Sequence, residues 1–277
     1  MREPMTAGPA GGTARETFRL PSACLGREVT VDLYRPPGDV SPAALSLLLV
    51  NDGQDLPVMG FGAILQRLYR EGAIRPVLCA GIHAGMDRRN EYGTAGRPDY
   101  LGRGARADRY TDFVFGELLP ELRRRMGTLH FRDKSFCGFS LGGLMAIDIV
   151  WNHPAEFRHV GVFSGSLWWR SRALDQGYDE SRDRILHARI RDGRAAPWLK
   201  FFLQAGQLDE TADRNGNGVI DAIDDTLDLI RELEAKGYRR GEDIRYLEMP
   251  DGRHDVPTWG RAFPEFLRWA YETTGPG

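Results

Sequence analysis

The chain has 277 residues, 42% of them hydrophobic and 27% charged, and a formal net charge of -2. That is enough apolar material for one sizeable core and requires no second domain, while the balanced charge gives no global pull toward nucleic acid or an anionic membrane. The expected partner is a small molecule, with no nucleic acid and no membrane.

Residues 1–15 are rich in Gly, Ala and Pro and lack the apolar run of a secretory signal, so they predict a flexible tail ahead of a single domain at 16–277. No stretch reaches the ~20 apolar residues of a membrane span. Cys24, Cys79 and Cys137 are odd in number and lie among apolar or small residues, which suits a reducing compartment and predicts a cytoplasmic location. Val29, Val31 and Leu33 alternate with polar residues and stop at Arg35-Pro36-Pro37, as a half-buried antiparallel strand near a sheet edge would.

Continuous apolar runs follow at 45–50, 76–82, 135–137, 160–163, 199–203 and 244–249, and helical patterns at 61–71, 110–126, 141–152, 225–236 and 259–271. Strands buried on both faces and alternating with helices predict an α/β class: a mostly parallel, doubly covered sheet with antiparallel N-terminal edge strands. Two irregular insertions, 84–107 and 166–197, are long enough to wall or cover a site.

Gly138-Phe139-Ser140-Leu141-Gly142-Gly143 lies between a short strand run and an apolar helix run, the setting of a nucleophile elbow. There a serine stands on a tight strand-to-helix turn, and glycines on either side leave room for the backbone. Cys137, one strand position away from the turn, would point into the sheet and serves packing instead. A serine nucleophile needs a base and a carboxylate to orient it. His254 follows the run 244–249 and precedes the last helix, so it leaves a strand's carboxyl end, where catalytic groups of open parallel sheets collect. His83, His153 and His159 lie in strand or turn contexts and read as structural. The acid comes from the loop after 199–203, where Asp209 and Glu210 are both candidates. The chain order Ser, Asp/Glu, His is that of the α/β-hydrolase fold. Two backbone N–H groups complete an oxyanion hole: Leu141, directly after the serine, and Gln54, in the turn Asn51-Asp52-Gly53-Gln54 after the run 45–50.

These residues resemble the putative esterase family, which includes enterochelin-type siderophore esterases, feruloyl esterases and S-formylglutathione hydrolases. The resemblance rests on Asp52-Gly53-Gln54, the elbow, Phe163-Ser164-Gly165-Ser166-Leu167-Trp168-Trp169, and Gly252-Arg253-His254-Asp255 with Trp259. It implies an esterase with Ser140, His254 and a carboxylate near Asp209 as its triad. Arg88-Arg89-Asn90-Glu91 resembles the Arg-x-x-Glu segment of siderophore-esterase-like members, which puts Arg88 and Glu91 beside the substrate. Trp168 and Trp169 are further candidates to line a pocket for an aromatic or anionic acyl group. The chain departs from the family's usual Gly-Gly-His at Gly252-Arg253-His254, a change that bears on substrate preference.

Residues 213–224 match a calcium-binding EF-hand loop. Asp213, Asn215, Asn217, Asp221 and Asp224 stand at positions 1, 3, 5, 9 and 12, Gly218 at position 6, and Val219 offers its carbonyl. Asp224 replaces the usual bidentate Glu, so the expected ion is weakly held structural calcium, or magnesium. No full helix precedes the loop, which predicts a lone structural site that rigidifies the acid loop, with no organic cofactor. Other readings of the same triad are an acyltransferase, or a calcium-stabilised binding module that has lost catalysis.

Overall fold

The computed structural model describes residues 13–273 and begins with an antiparallel pair, β1 (Ala14–Ser22) and β2 (Arg27–Arg35). Most of the expected N-terminal tail therefore lies outside the described residues, and its last two positions belong to β1. Six further strands follow: β3 (Ser46–Asn51), β4 (Val77–Ile82), β5 (Lys134–Phe139), β6 (His159–Phe163), β7 (Lys200–Leu208) and β8 (Ile244–Arg253). All eight form one sheet in the order β1-β2-β4-β3-β5-β6-β7-β8. β2 meets β4 antiparallel, and every neighbouring pair from β4 to β8 is parallel. This is the α/β-hydrolase fold.

The central strands read as unbroken apolar runs because both faces are covered. Along β3, Leu47 and Leu49 enter one core while Leu48 and Val50 enter the other. The second core is closed by α1 (Phe61–Arg70) and by the C-terminal helix. The first lies beneath the helices of the intervening chain: α2 (Arg88–Glu91), α3 (Ala107–Phe113), α4 (Leu119–Met126), α5 (Leu141–Asn152), α6 (Glu180–Asp183), α7 (Ile185–Asp192) and α8 (Asp221–Ala235). The C-terminal helix α9 (Val256–Tyr271) lays Phe263 parallel to Phe163 at 5.1 Å between ring centres. Each such fully buried ring is worth roughly 1.5–3 kcal/mol of burial.

Three expectations about elements change. The helix expected at 110–126 starts at Ala107 and passes through a π-helical turn at Val114–Leu118. The insertions are not plain loops, since they carry α2, α6 and α7; Ile185, Leu186 and Ile190 of α7 are buried in the core. α9 begins before 259 because the Asp255 side chain caps it, accepting from Thr258 N–H at 2.9 Å, with a proline in the first turn. Among the described residues no helix is long and apolar enough to cross a membrane.

Candidate active site

Ser140 lies between β5 and α5 with φ 54° and ψ -121°, a left-handed backbone that a residue with a Cβ rarely takes. A Cβ on Gly138 would stand 2.4 Å from Gly142 carbonyl atoms, and one on Gly142 would stand 2.5 Å from Asp52 Oδ2. Both glycines are therefore required by close approach, the first to fold the elbow and the second to press it against the end of β3.

That contact is reinforced by a buried polar network. Asn51 Nδ2 donates to Gly142 O at 2.8 Å, and Tyr110 hydroxyl donates to Asn51 Oδ1 at 2.6 Å. Asp52, itself left-handed at φ 59°, takes a two-pronged ion pair from Arg88, with both contacts at 2.7 Å. Arg88 Nη2 also reaches Phe139 O, next to the nucleophile, at 3.4 Å. The turn holding Gln54 is thus strapped to the elbow from both sides. Gln54 Oε1 accepts from Ala84 N–H at 3.0 Å, while the N–H groups of Gln54 and Leu141 have no hydrogen-bond partner among the described residues. Two free donors on abutting turns can receive a developing oxyanion.

His254 and Asp209 leave the ends of adjacent parallel strands, the last paired positions being Leu208 and Arg253. The strands close tightly here: a Cβ on Gly206 would lie 2.4 Å from Gly252 O. Asp209 Oδ2 accepts from Gly206 N–H at 3.0 Å, and its Oδ1 is buried without a partner. Such an orphaned oxygen is costly unless a donor reaches it. Glu210 turns the other way, toward the first turn of α8. Its carboxyl pKa is raised by burial and by Asp221, with Ala222 N–H opposing.

His254 keeps solvent access, and its ring meets Trp259 edge-on at 5.4 Å. Trp259 stacks on Phe139 at 5.0 Å and donates from Nε1 to Ser164 Oγ at 3.0 Å, so it joins the histidine loop to the elbow. Removal of part of its hydration pulls the His254 pKa below the usual value; Asp209 opposes that shift and Arg88 adds to it. Both charges therefore act at the imidazole. Ser140, His254 and Asp209 make no hydrogen bond to one another; Ser140 Oγ instead faces Ser166 Oγ at 3.3 Å. Catalytic hydrogen bonds commonly tighten only when substrate is bound.

Two expected substrate residues are buried. Glu91 is fully enclosed and paired with Arg27 at 2.8 and 2.6 Å, which makes it a structural anion. Trp169 is fully buried against Gly93 and Gly104, so it serves the core and offers no surface to a ligand. Arg88 and the half-buried Trp168 remain accessible, Trp168 lying under Arg103 at 5.0 Å. The residues that the sequence left without a role are Ser166, Trp259, Asp52, Asn51 and Tyr110. Short motifs pointed to Asp52, Ser166 and Trp259, whereas no local pattern marks Tyr110.

In the loop 213–224, Asp213 accepts from the N–H groups of Gly216, Asn217 and Gly218 at 2.8–3.1 Å. The side-chain amides of Asn215 and Asn217 converge on Asp224 Oδ2 at 3.0 and 2.6 Å. Asp221 is turned away from that point and held by Arg214. Among the described residues no group of three or more His, Cys, Asp and Glu side chains is gathered around a possible metal position. A donor set in this loop would have to include asparagine and backbone oxygens.

A family profile described as Putative esterase matches residues 22–270. The uncharacterized protein YbbA of Bacillus subtilis is 22% identical over 177 residues, 60% of this chain and 64% of that protein. The crystal structure of the enterochelin esterase from Shigella flexneri superposes with TM-score 0.70 at 21% identity, over 94% of this chain and 61% of that one. An IroE-like serine hydrolase from Shewanella oneidensis superposes with TM-score 0.69 at 21% identity, over 93% of this chain and 80% of that one. The chain thus spans a little under two thirds of the first two proteins, and the superpositions establish the fold. With the family profile running from β1 to the end of α9, the chain belongs to the putative esterase family.

Proposed function

We propose that this protein is a serine carboxylic-ester hydrolase acting on small-molecule esters through an acyl-enzyme. The observation that carries the reading is the strained elbow: Ser140 at φ 54° ahead of α5, with the unengaged N–H of Leu141 beside it. The orphaned Asp209 Oδ1 and the adjacent strand ends bearing Asp209 and His254 support Asp209 over Glu210 as the orienting acid. His254 takes the Ser140 proton as Oγ bonds to the carbonyl carbon, and the oxyanion accepts from Leu141 and Gln54 N–H. Collapse expels the alcohol with that proton; water, deprotonated by His254, then releases the acid and restores Ser140.

Likeness to enterochelin esterase supports an enterochelin-like ester, with Arg88 and Trp168 available to meet its acyl part. The ordered 213–224 loop supports a structural calcium ion beside the acid loop, and the three free cysteines support a cytoplasmic setting. The test is turnover of a panel of p-nitrophenyl esters by wild type and Ser140→Ala. Loss of the nucleophile lowers kcat by about 10⁴- to 10⁶-fold. More than a tenth of the wild-type rate in Ser140→Ala refutes the mechanism. A transesterified product as the major species when an alcohol is added would assign a transferase instead.

A further inference from the structure

The loop after β6 returns to the nucleophile. Phe139 and Phe163 are paired at the ends of β5 and β6, and Phe163 O accepts from Ser140 N–H at 2.9 Å. The chain then turns through Ser164, left-handed at φ 44°, and Gly165, where a Cβ would meet Val162 Cγ1 at 2.4 Å. This turn delivers Ser166, whose N–H donates to Ser140 O at 3.1 Å and whose hydroxyl lies 3.3 Å from Ser140 Oγ. Ser166 is only 3% exposed, and Ser140 Oγ is its one side-chain hydrogen-bond partner among the described residues.

Each hydroxyl carries one proton. When Ser140 gives its own toward His254, the Ser166 proton is left with a single nearby side-chain acceptor, a lone pair of Ser140 Oγ. On the reading that Ser140 is the nucleophile, we infer that Ser166 is a donor to the nucleophile itself, holding its rotamer and stabilising the negative charge that builds on Oγ. Ser166 keeps its proton throughout. Its hydrogen bond strengthens as Oγ becomes alkoxide-like on attack, weakens in the acyl-enzyme where Oγ is an ester oxygen, and strengthens again as Oγ leaves. Backbone contacts hold both serines in register, so the bond needs no rearrangement to act.

The experiment compares wild type with Ser166→Ala, Ser166→Cys and Ser166→Thr. The readouts are p-nitrophenyl ester turnover, the rate of covalent labelling by a p-nitrophenyl phosphonate, and Tm. Alanine removes the donor and cysteine replaces it with a weak one at similar shape. Both variants should lower kcat and the labelling rate by about 10- to 100-fold, the loss of a hydrogen bond to a charged acceptor, with KM within about threefold. Threonine, which keeps the hydroxyl, should return both rates to within about threefold. Unchanged or faster rates per folded molecule in the alanine or cysteine variant, including the case where only Tm falls, overturn the inference. Mapping the label in wild type tests the underlying reading separately: phosphonate on a residue other than Ser140 refutes the site assignment, whereas Ser140 labelled equally fast in all variants refutes only the role of Ser166.

Discussion

His254 sits under opposing influences. Partial loss of hydration and the Arg88 guanidinium disfavour imidazolium, so its pKa falls below 6.5, while the Asp209 carboxylate favours it. A base must be neutral to act, so kcat/KM should rise with pH through a midpoint below 6.5. Asp209→Asn removes the charge that supports imidazolium; that midpoint should move further down while kcat drops by about 10⁴-fold. A pH–rate profile in which the Asp209→Asn midpoint moves up would show that another carboxylate faces the histidine. At this scale Ser140 and His254 were legible because short motifs at strand ends announce them. Glu91 and Trp169 were misread because residue type does not disclose burial: the partner of Glu91 is Arg27, on a different strand.

At the scale of elements, the loop 213–224 stands between the acid at the end of β7 and the start of α8. Asp213 organises three N–H groups, and Asn215, Asn217 and Asp224 meet at one point, a place for a cation that prefers oxygen donors. Because Asp221 is occupied by Arg214 and Asp224 is shorter than glutamate, the affinity should fall in the weak range. Calcium at a hundred times its Kd adds about 2.7 kcal/mol, which in a domain of this size raises Tm by several degrees. Thermal melts with EDTA and with millimolar calcium should show that rise in wild type and none in Asp213→Ala. Melting and activity that ignore calcium in wild type would remove the ion from the account.

Across the whole molecule, acid sensitivity should come from two buried histidines. Burial pushes both His159 and His187 down to about 3. His187 Nε2–H donates to Asp225 O at 2.8 Å and its Nδ1 has no partner, so the folded state holds the ring neutral. The unfolded chain binds these protons near 6.5, so the stability present above that pH is lost as pH falls through and below it. At pH 5 each histidine accounts for about 2 kcal/mol of that loss. Asp148, pushed up to about 6 by burial, acts in the opposite sense, so the measurement is a difference at each pH. Denaturant melts of His187→Gln against wild type should show the gap in stability narrowing by about 2 kcal/mol between pH 7 and pH 5. A gap that does not change with pH would mean that His187 is protonated in the folded protein.

The sequence by itself determined the class of fold, the elbow and the chain order of nucleophile, acid and base. Those features are local: apolar runs that require cover on both faces, and glycines around one serine. Only the tertiary structure decided what stands beside what. Strand register put Asp209 next to the His254 strand end and turned Glu210 toward α8; the order β4-β3-β5 brought Asp52 and Arg88 to the elbow; and the return from β6 set Ser166 against Ser140. Ser140 and Ser166 are 26 residues apart, Asp52 and Arg88 36, and Asn51 and Tyr110 59. Such contacts arise from how strands pair and helices pack over the sheet, which no local pattern of residues records.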